Sequence, residues 1–143
     1  MKPIKVFLDS SVIIAGLASG SGGSHKVLLL AELGIVIPYV SEQVITEVLR
    51  NIQLKLPGCT EAFYTLFKRL PFVLSDPVAE DLMRAKSLIN EKDAPVMAAA
   101  ITAKVDWLLS LDSHFLKDWK GEVGFSAVSP RDFLQQLSFS RPR

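Results

Sequence analysis

Five short apolar runs, at residues 4–8, 35–40, 72–74, 107–111 and 123–128, alternate along the chain with segments of helical period. The strand-like runs are apolar on both faces, so a half-solvated antiparallel sheet cannot hold them. Such strands need helices packed above and below, the arrangement of a parallel sheet with helical crossovers. The expected fold is therefore α/β, a three-layer α/β/α sandwich with a mostly parallel central sheet. At 143 residues the chain is the size of one compact domain. The reading is a single domain over 1–137, with 138–143 as a mobile tail. No internal repeat is present.

Punctuation sets the helices between these strands. A short helix over 12–18 runs into Gly20-Ser21-Gly22-Gly23-Ser24, and a longer one over 25–33 opens at Ser24 as N-cap and closes at Gly34. Ser41 caps a helix over 42–54 that Pro57-Gly58 terminates, and Thr60 opens another to residue 70. Asp76-Pro77 leads into a helix over 78–89. Asp93 caps a helix over 94–104 whose Val96, Met97, alanine run and Ile101 are apolar nearly all round, which marks it as buried. A helical turn over 113–119 and a last helix after Ser129-Pro130 complete the order.

Composition closes off several function classes. Sixteen Lys and Arg stand against fifteen Asp and Glu, a net charge of +1, so any polyanion must be bound by a local patch rather than by bulk charge. The single cysteine, Cys59, has no partner for an intramolecular disulfide, which fits a reducing cytoplasm. The longest apolar stretches, 34–40 and 94–101, fall short of the roughly 20 residues of a membrane span. The N-terminal segment meets Lys5 and Asp9 too early for a signal peptide. The expectation is a soluble cytoplasmic protein without a membrane partner.

Ligands of open parallel sheets bind outside the carboxyl ends of the strands. Asp9 follows the first strand and Asp112 the fourth, which puts two carboxylates on one edge. Asp93 opens the helix that feeds the fourth strand, and antiparallel packing returns that helix start to the same edge. Glu47 lies about 9 Å along the helix after the second strand, and helical side chains lean back towards the N-terminus. It can reach the edge, although it sits off the Val44, Ile45, Val48, Leu49, Ile52 face. Converging carboxylates repel unless a cation neutralises them, and hard oxygen ligands select Mg²⁺ or Mn²⁺. The chemistry that follows is metal-assisted phosphodiester hydrolysis. Ser10, Ser11 and Ser110 supply hydroxyls able to orient a carboxylate or a water.

Each acid also has a bland reading. Asp93 alone is an N-cap, Asp112 alone a turn or cap residue, and Glu47 alone a solvated helix residue. Asp9, ending an apolar strand with no turn chemistry after it, is the hardest to dismiss. The glycine-rich segment 20–24 lacks a preceding strand and has His25 where a dinucleotide fingerprint needs its third glycine, so it reads as a flexible loop. His25 and His114 stand far apart without cysteine partners, which argues against zinc, and His114 reads as a surface or turn residue. The aromatic residues Phe63, Phe67, Phe72, Trp107 and Trp119 read as core.

Taken together, "KVFLDSSVIIAGL", "VSEQVITEVLRN" and "KDAPVMAAAITAKVDWLLSLDSHFL" resemble a PIN domain over nearly the whole chain. The last of these is the most specific, since it joins an acid, a small-residue helix, a strand and a final acid. The resemblance implies a PIN-like fold and a metal-dependent ribonuclease whose acidic quartet is Asp9, Glu47, Asp93 and Asp112, both catalytic and metal-binding. It also implies VapC-type kinship, and with it the toxin of a toxin–antitoxin pair, an antitoxin protein as partner and a homodimer. Ser10 and Ser11 satisfy the Thr/Ser and Asn/Ser positions after the first aspartate, and Ser110 stands where the family commonly has Thr.

Three readings remain open. The first is a Mg²⁺- or Mn²⁺-dependent endoribonuclease that cleaves single-stranded or looped RNA, with Lys26, Lys92, Lys117 and Lys120 as possible backbone contacts. The second is a catalytically silent PIN-like module that binds RNA or a protein. The third is a phosphohydrolase of small phosphate esters.

Overall fold

The computed structural model describes residues 2–140, with side chains through residue 137. Five strands form one sheet in the order β3-β2-β1-β4-β5: β1 (Ile4–Leu8), β2 (Val36–Val40), β3 (Val73–Leu74), β4 (Trp107–Leu109) and β5 (Ser126–Val128). Every pairing is parallel, with Val6 opposite both Pro38 and Trp107. The sheet steps one way from β1 to β3 and the other way from β4 to β5, and right-handed crossovers in opposite directions place helices on both faces. The three-layer α/β sandwich expected from the apolar runs is the observed fold.

The helices are α1 (Ser10–Ala18), α2 (Gly23–Glu32), α3 (Glu42–Lys55), α4 (Thr60–Arg69), α5 (Ala79–Lys86), α6 (Ala94–Ala103), α7 (Ser113–Leu116) and α8 (Pro130–Ser140), with a 3₁₀ turn at Pro57–Cys59. None among the described residues is long and apolar enough to cross a membrane. The tail expected over 138–143 begins inside α8, and residues 141–143 lie outside the described part of the chain.

Burial explains the pattern. Val6, Phe7 and Leu8 on β1 and Leu108 and Leu109 on β4 are fully buried; burying each such side chain is worth roughly 1.5–3 kcal/mol. In α6, residues Val96 to Ala100 are all buried, and the alanines let neighbouring elements approach closely. Gly34 ends α2 with φ +79°. Its N–H donates to the Ala31 carbonyl and that of Ile35 to the Leu30 carbonyl, a Schellman closure that favours glycine at this position.

Some expected boundaries move for identifiable reasons. Ser24 is not the N-cap of α2; Gly22 is, with φ +98°, and Ser24 is buried in the first turn. The fifth strand loses 123–125 because Gly124 turns the chain at φ +84°. The fourth ends at Leu109 because the Leu111 N–H goes to the Ser11 hydroxyl, at 3.0 Å, rather than to a neighbouring strand.

Candidate metal centre

The strand order reverses between β1 and β4, and that switch point is where open parallel sheets bind ligands. Asp9 leaves β1 at this point. It occupies the N-cap position of α1, yet its side chain caps nothing. Instead Oδ2 accepts from the Ser11 hydroxyl at 2.9 Å and the Ser110 hydroxyl at 2.8 Å. A serine hydroxyl has one proton to give, and both serines give it to Asp9. Their oxygens in turn accept backbone N–H groups, Ser11 from Leu111 and Ser110 from Asp112 at 2.9 Å. The two hydroxyls thus tie the end of β1 to the loop after β4.

Asp9 is 5% exposed. Burial pushes its carboxyl above the usual carboxylate range; hydrogen bonds from Ser110, Ser11 and the Ser10 backbone oppose the rise, and the Glu47 carboxylate adds to it. Glu47 belongs to α3, which Ser41 opens by accepting the Val44 N–H at 3.2 Å. Val44, Val48 and Ile52 bury one face of α3, and Glu47 sits beside it, half-buried. Its Oε2 accepts from the Ser10 hydroxyl at 3.0 Å and its Oε1 from Gln43 Nε2 at 3.1 Å. The residue with the weakest sequence signal therefore does reach the edge, and Ser10 is what holds it there.

Asp112 caps α7, its Oδ1 accepting the His114 N–H at 2.9 Å. Asp93 stands at the N-cap position of α6 but does not cap it. A capping residue has non-helical backbone and accepts from the second or third helical N–H; Asp93 is already helical, at φ −94° and ψ −9°, and the second residue is Pro95, which has no N–H. Asn90 holds Asp93 instead. Asn90 Nδ2 donates to Asp93 Oδ2 at 2.6 Å, and Asn90 Oδ1 accepts the Asp93 N–H at 3.0 Å. The freed carboxylate meets His114, whose Nδ1 lies 2.9 Å from Asp93 Oδ2 and 3.6 Å from Asp112 Oδ1.

Asp93, Asp112 and His114 thus form one cluster, with a ligand atom from each lying within 4.8 Å of the others. Asp9 and Glu47 lie outside that group: Ser110 bonds both Asp9 and the backbone N–H of Asp112, and Ser10 gives its hydroxyl to Glu47 and its backbone N–H to Asp9. Among the described residues no Lys or Arg is ion-paired with any of the four acids. Sequence reasoning missed Asn90 and Gln43, and placed His114 merely at the surface. The readable signal for His114 was its spacing of two from Asp112 at a helix start; for Asn90 it was an amide three residues ahead of an acid followed by proline.

Two hollows lie apart from the acids. One, of about 420 Å³, is bounded by Leu17, Leu28 and Leu29 on one side and Ala62 and Leu66 of α4 on the other. The other, of about 280 Å³, is lined by Gly23, Lys26, Arg131, Leu134 and Gln135. There the N-termini of α2 and α8 meet so closely that a Cβ on Gly23 would lie 3.2 Å from the Arg131 nitrogen. Helix α8 follows β5 directly, and the Val128 carbonyl accepts the Ser110 N–H at 3.1 Å. This cationic hollow is therefore on the same sheet edge as the acids, and the glycine-rich segment borders it.

The model of the PIN domain matches residues 5–114, a span that holds all four acids. Among solved structures, the chain is similar to VapBC2 from Rickettsia felis, crystallised bound to a DNA fragment from its promoter. The TM-score is 0.64 at 12% identity, over 87% of this chain and 97% of that one. It is also similar to PAE2754 from Pyrobaculum aerophilum, with a TM-score of 0.62 at 15% identity, over 96% of this chain and 91% of that one. At these identities the likeness is one of fold. No curated protein matches the sequence.

Proposed function

The chain belongs to the PIN domain family, and from that premise we propose that it is a Mg²⁺- or Mn²⁺-dependent endoribonuclease of single-stranded or looped RNA, acting as the toxin of a toxin–antitoxin pair. PIN domains are in general metal-dependent nucleases. The observation that carries the reading is the gathering of four acids at the switch point, none of them ion-paired with a lysine or arginine among the described residues. Such a set fits a divalent cation: hard oxygen donors suit it, and its charge offsets the burial that raises the Asp9 carboxyl.

Asp9, Glu47, Asp93 and Asp112 would hold the ion. Bound there, it supplies an activated water and neutralises charge on the phosphate oxygens. The protein's own part is to fix the donors. Ser11 and Ser110 orient Asp9 with both hydroxyl protons, Ser10 and Gln43 hold the two oxygens of Glu47, and Asn90 keeps Asp93 turned from its helix. An acidic edge of this kind cannot enter a duplex groove, which favours unpaired RNA. Lys26 and Arg131 offer positive charge for flanking phosphates at the same edge.

The toxin assignment has a second support in the hollow between α2 and α4, whose Leu28, Leu29 and Leu66 floor with the Glu32–Arg69 ion pair beside it suits an amphipathic helix from an antitoxin.

The test is cleavage of a labelled pool of single-stranded RNAs with Mg²⁺ or Mn²⁺, comparing wild type, Asp9→Asn and an EDTA control. Metal-dependent cutting that disappears in Asp9→Asn supports the nuclease. A folded, metal-binding wild type that cuts nothing in the pool replaces it with a non-catalytic module that binds RNA or a protein.

A further inference from the structure

We propose that the metal centre has a nitrogen ligand: His114 Nδ1 joins Asp93 and Asp112 on the ion, so the site prefers a first-row transition ion such as Mn²⁺ to Mg²⁺. The inference rests on the metal-centre reading above and extends its ligand set beyond the four carboxylates.

The geometry already gathers the donors. Nδ1 lies 2.9 Å from Asp93 Oδ2 and 3.6 Å from Asp112 Oδ1, and one ligand atom from each residue is within 4.8 Å of the others. With bonds of about 2.1 Å, donor atoms on an octahedral ion lie about 3 Å apart when adjacent and about 4.2 Å apart when opposite. The Nδ1–Asp93 separation is that of adjacent ligands, and the 3.6 Å to Asp112 Oδ1 falls between the adjacent and opposite values, so small side-chain shifts bring all three onto one ion.

Local structure explains why the ring is there. Asp112 caps α7 by accepting the His114 N–H, so the two side chains leave one helix start together. Asp93 is delivered to the same place because Asn90 Nδ2, not its own helix, binds its Oδ2, the oxygen that also faces His114 Nδ1. The imidazole is half-exposed. Without an ion, Nδ1 lies at hydrogen-bond distance from Asp93 Oδ2, a carboxylate oxygen that can only accept, so Nδ1 carries the proton in that contact; an ion bound at Nδ1 takes the place of that proton.

The chemical consequence is selectivity. Mg²⁺ demands oxygen donors, whereas imidazole suits transition ions and carboxylate suits Mn²⁺ as well as Mg²⁺. A mixed Asp, Asp, His set therefore favours Mn²⁺ over Mg²⁺, while an all-carboxylate set does not discriminate on ligand type.

The experiment is pulsed EPR of the Mn²⁺-loaded wild-type chain, with calorimetric titration of Mn²⁺ and Mg²⁺ into wild type and His114→Ala. Expected are a ¹⁴N coupling from a directly bound imidazole and tighter binding of Mn²⁺ than Mg²⁺. His114→Ala should lose at least about tenfold in Mn²⁺ affinity and change Mg²⁺ affinity by no more than about threefold. A Mn²⁺ complex of the wild type without nitrogen coupling overturns the inference and leaves the carboxylate centre standing. Equal loss of both ions in His114→Ala also overturns it, since the ring then only positions Asp93. A wild type that binds neither ion ends both this inference and the reading beneath it. The EPR arm uses wild type alone, so a folding defect in the variant cannot mask the answer.

Discussion

Replacing Ser110 by alanine removes one buried hydroxyl that serves two partners. It donates to Asp9 Oδ2 at 2.8 Å and accepts from the Asp112 N–H at 2.9 Å, and the residue is fully buried. A hydrogen bond to a charged group contributes about 1.5–3 kcal/mol and the neutral one from the Asp112 N–H about 0.5–1.5 kcal/mol, so Ser110→Ala should cost about 2–4.5 kcal/mol where Asp9 is ionised. The change removes an oxygen rather than a methyl group, which keeps a packing defect out of the reckoning. Urea unfolding measures it as a shift of the midpoint at constant slope. The loss should depend on pH with a definite sign. The Ser110 hydroxyl favours the ionised form of Asp9, so its removal costs most where Asp9 is charged in the folded chain. As pH falls through the raised Asp9 value the carboxyl protonates, and the penalty shrinks. Ser11→Ala, at a half-buried site with the same acceptor, should cost less. A Ser110→Ala loss below about 0.5 kcal/mol, or one that is unchanged with pH, would refute the view that this hydroxyl supports a buried charge.

Three further outcomes follow from the structure. Burial raises the Asp9 carboxyl in the fold above its unfolded value, so wild-type stability falls as pH climbs from the unfolded to the folded value, and Asp9→Asn should remove that slope in metal-free urea titrations while abolishing RNA cleavage. The pair Lys26→Ala with Arg131→Ala should weaken RNA binding; if each cation meets one phosphate, the slope of log affinity against log salt drops by about 0.7 for each, and an unchanged slope places the RNA elsewhere. Lys104 closes α6 in the left-handed region at φ 55° with its side chain exposed. Lys104→Gly should therefore stabilise the chain by about 0.5–1 kcal/mol by thermal or urea unfolding.

The order of elements and the layered architecture were legible because they depend on local period and punctuation. Runs apolar on both faces require cover on both faces, and Gly34 ends α2 by chemistry that any reader of the sequence can recognise. Ser41 caps α3 and Ser129 opens α8 for the same reason. Placing Asp9 and Asp112 at strand ends needed only the strand calculus, since all parallel strands share one carboxyl edge.

The strand order was decided by tertiary structure. Nothing local says that β4 pairs with β1 rather than with β3, yet that pairing lets Ser110 reach Asp9 across a sequence separation of 101 residues. The role of Asp93 also turned on its surroundings. As a residue type before a helix it is a cap, but its own helical backbone, Pro95 at the second position and the Asn90 donor turn it to the site instead. His114 shows the same limit: by sequence it is a polar residue in a turn, and its ring gains chemical meaning from an aspartate 21 positions away. Sequence by itself determined which elements form and which edge carries the acids, because hydrophobic period and capping act over a few residues. The tertiary structure decided which side chains share that edge closely enough to act together, because hydrogen bonds and ion coordination depend on distances of about 3 Å that only the packed chain defines.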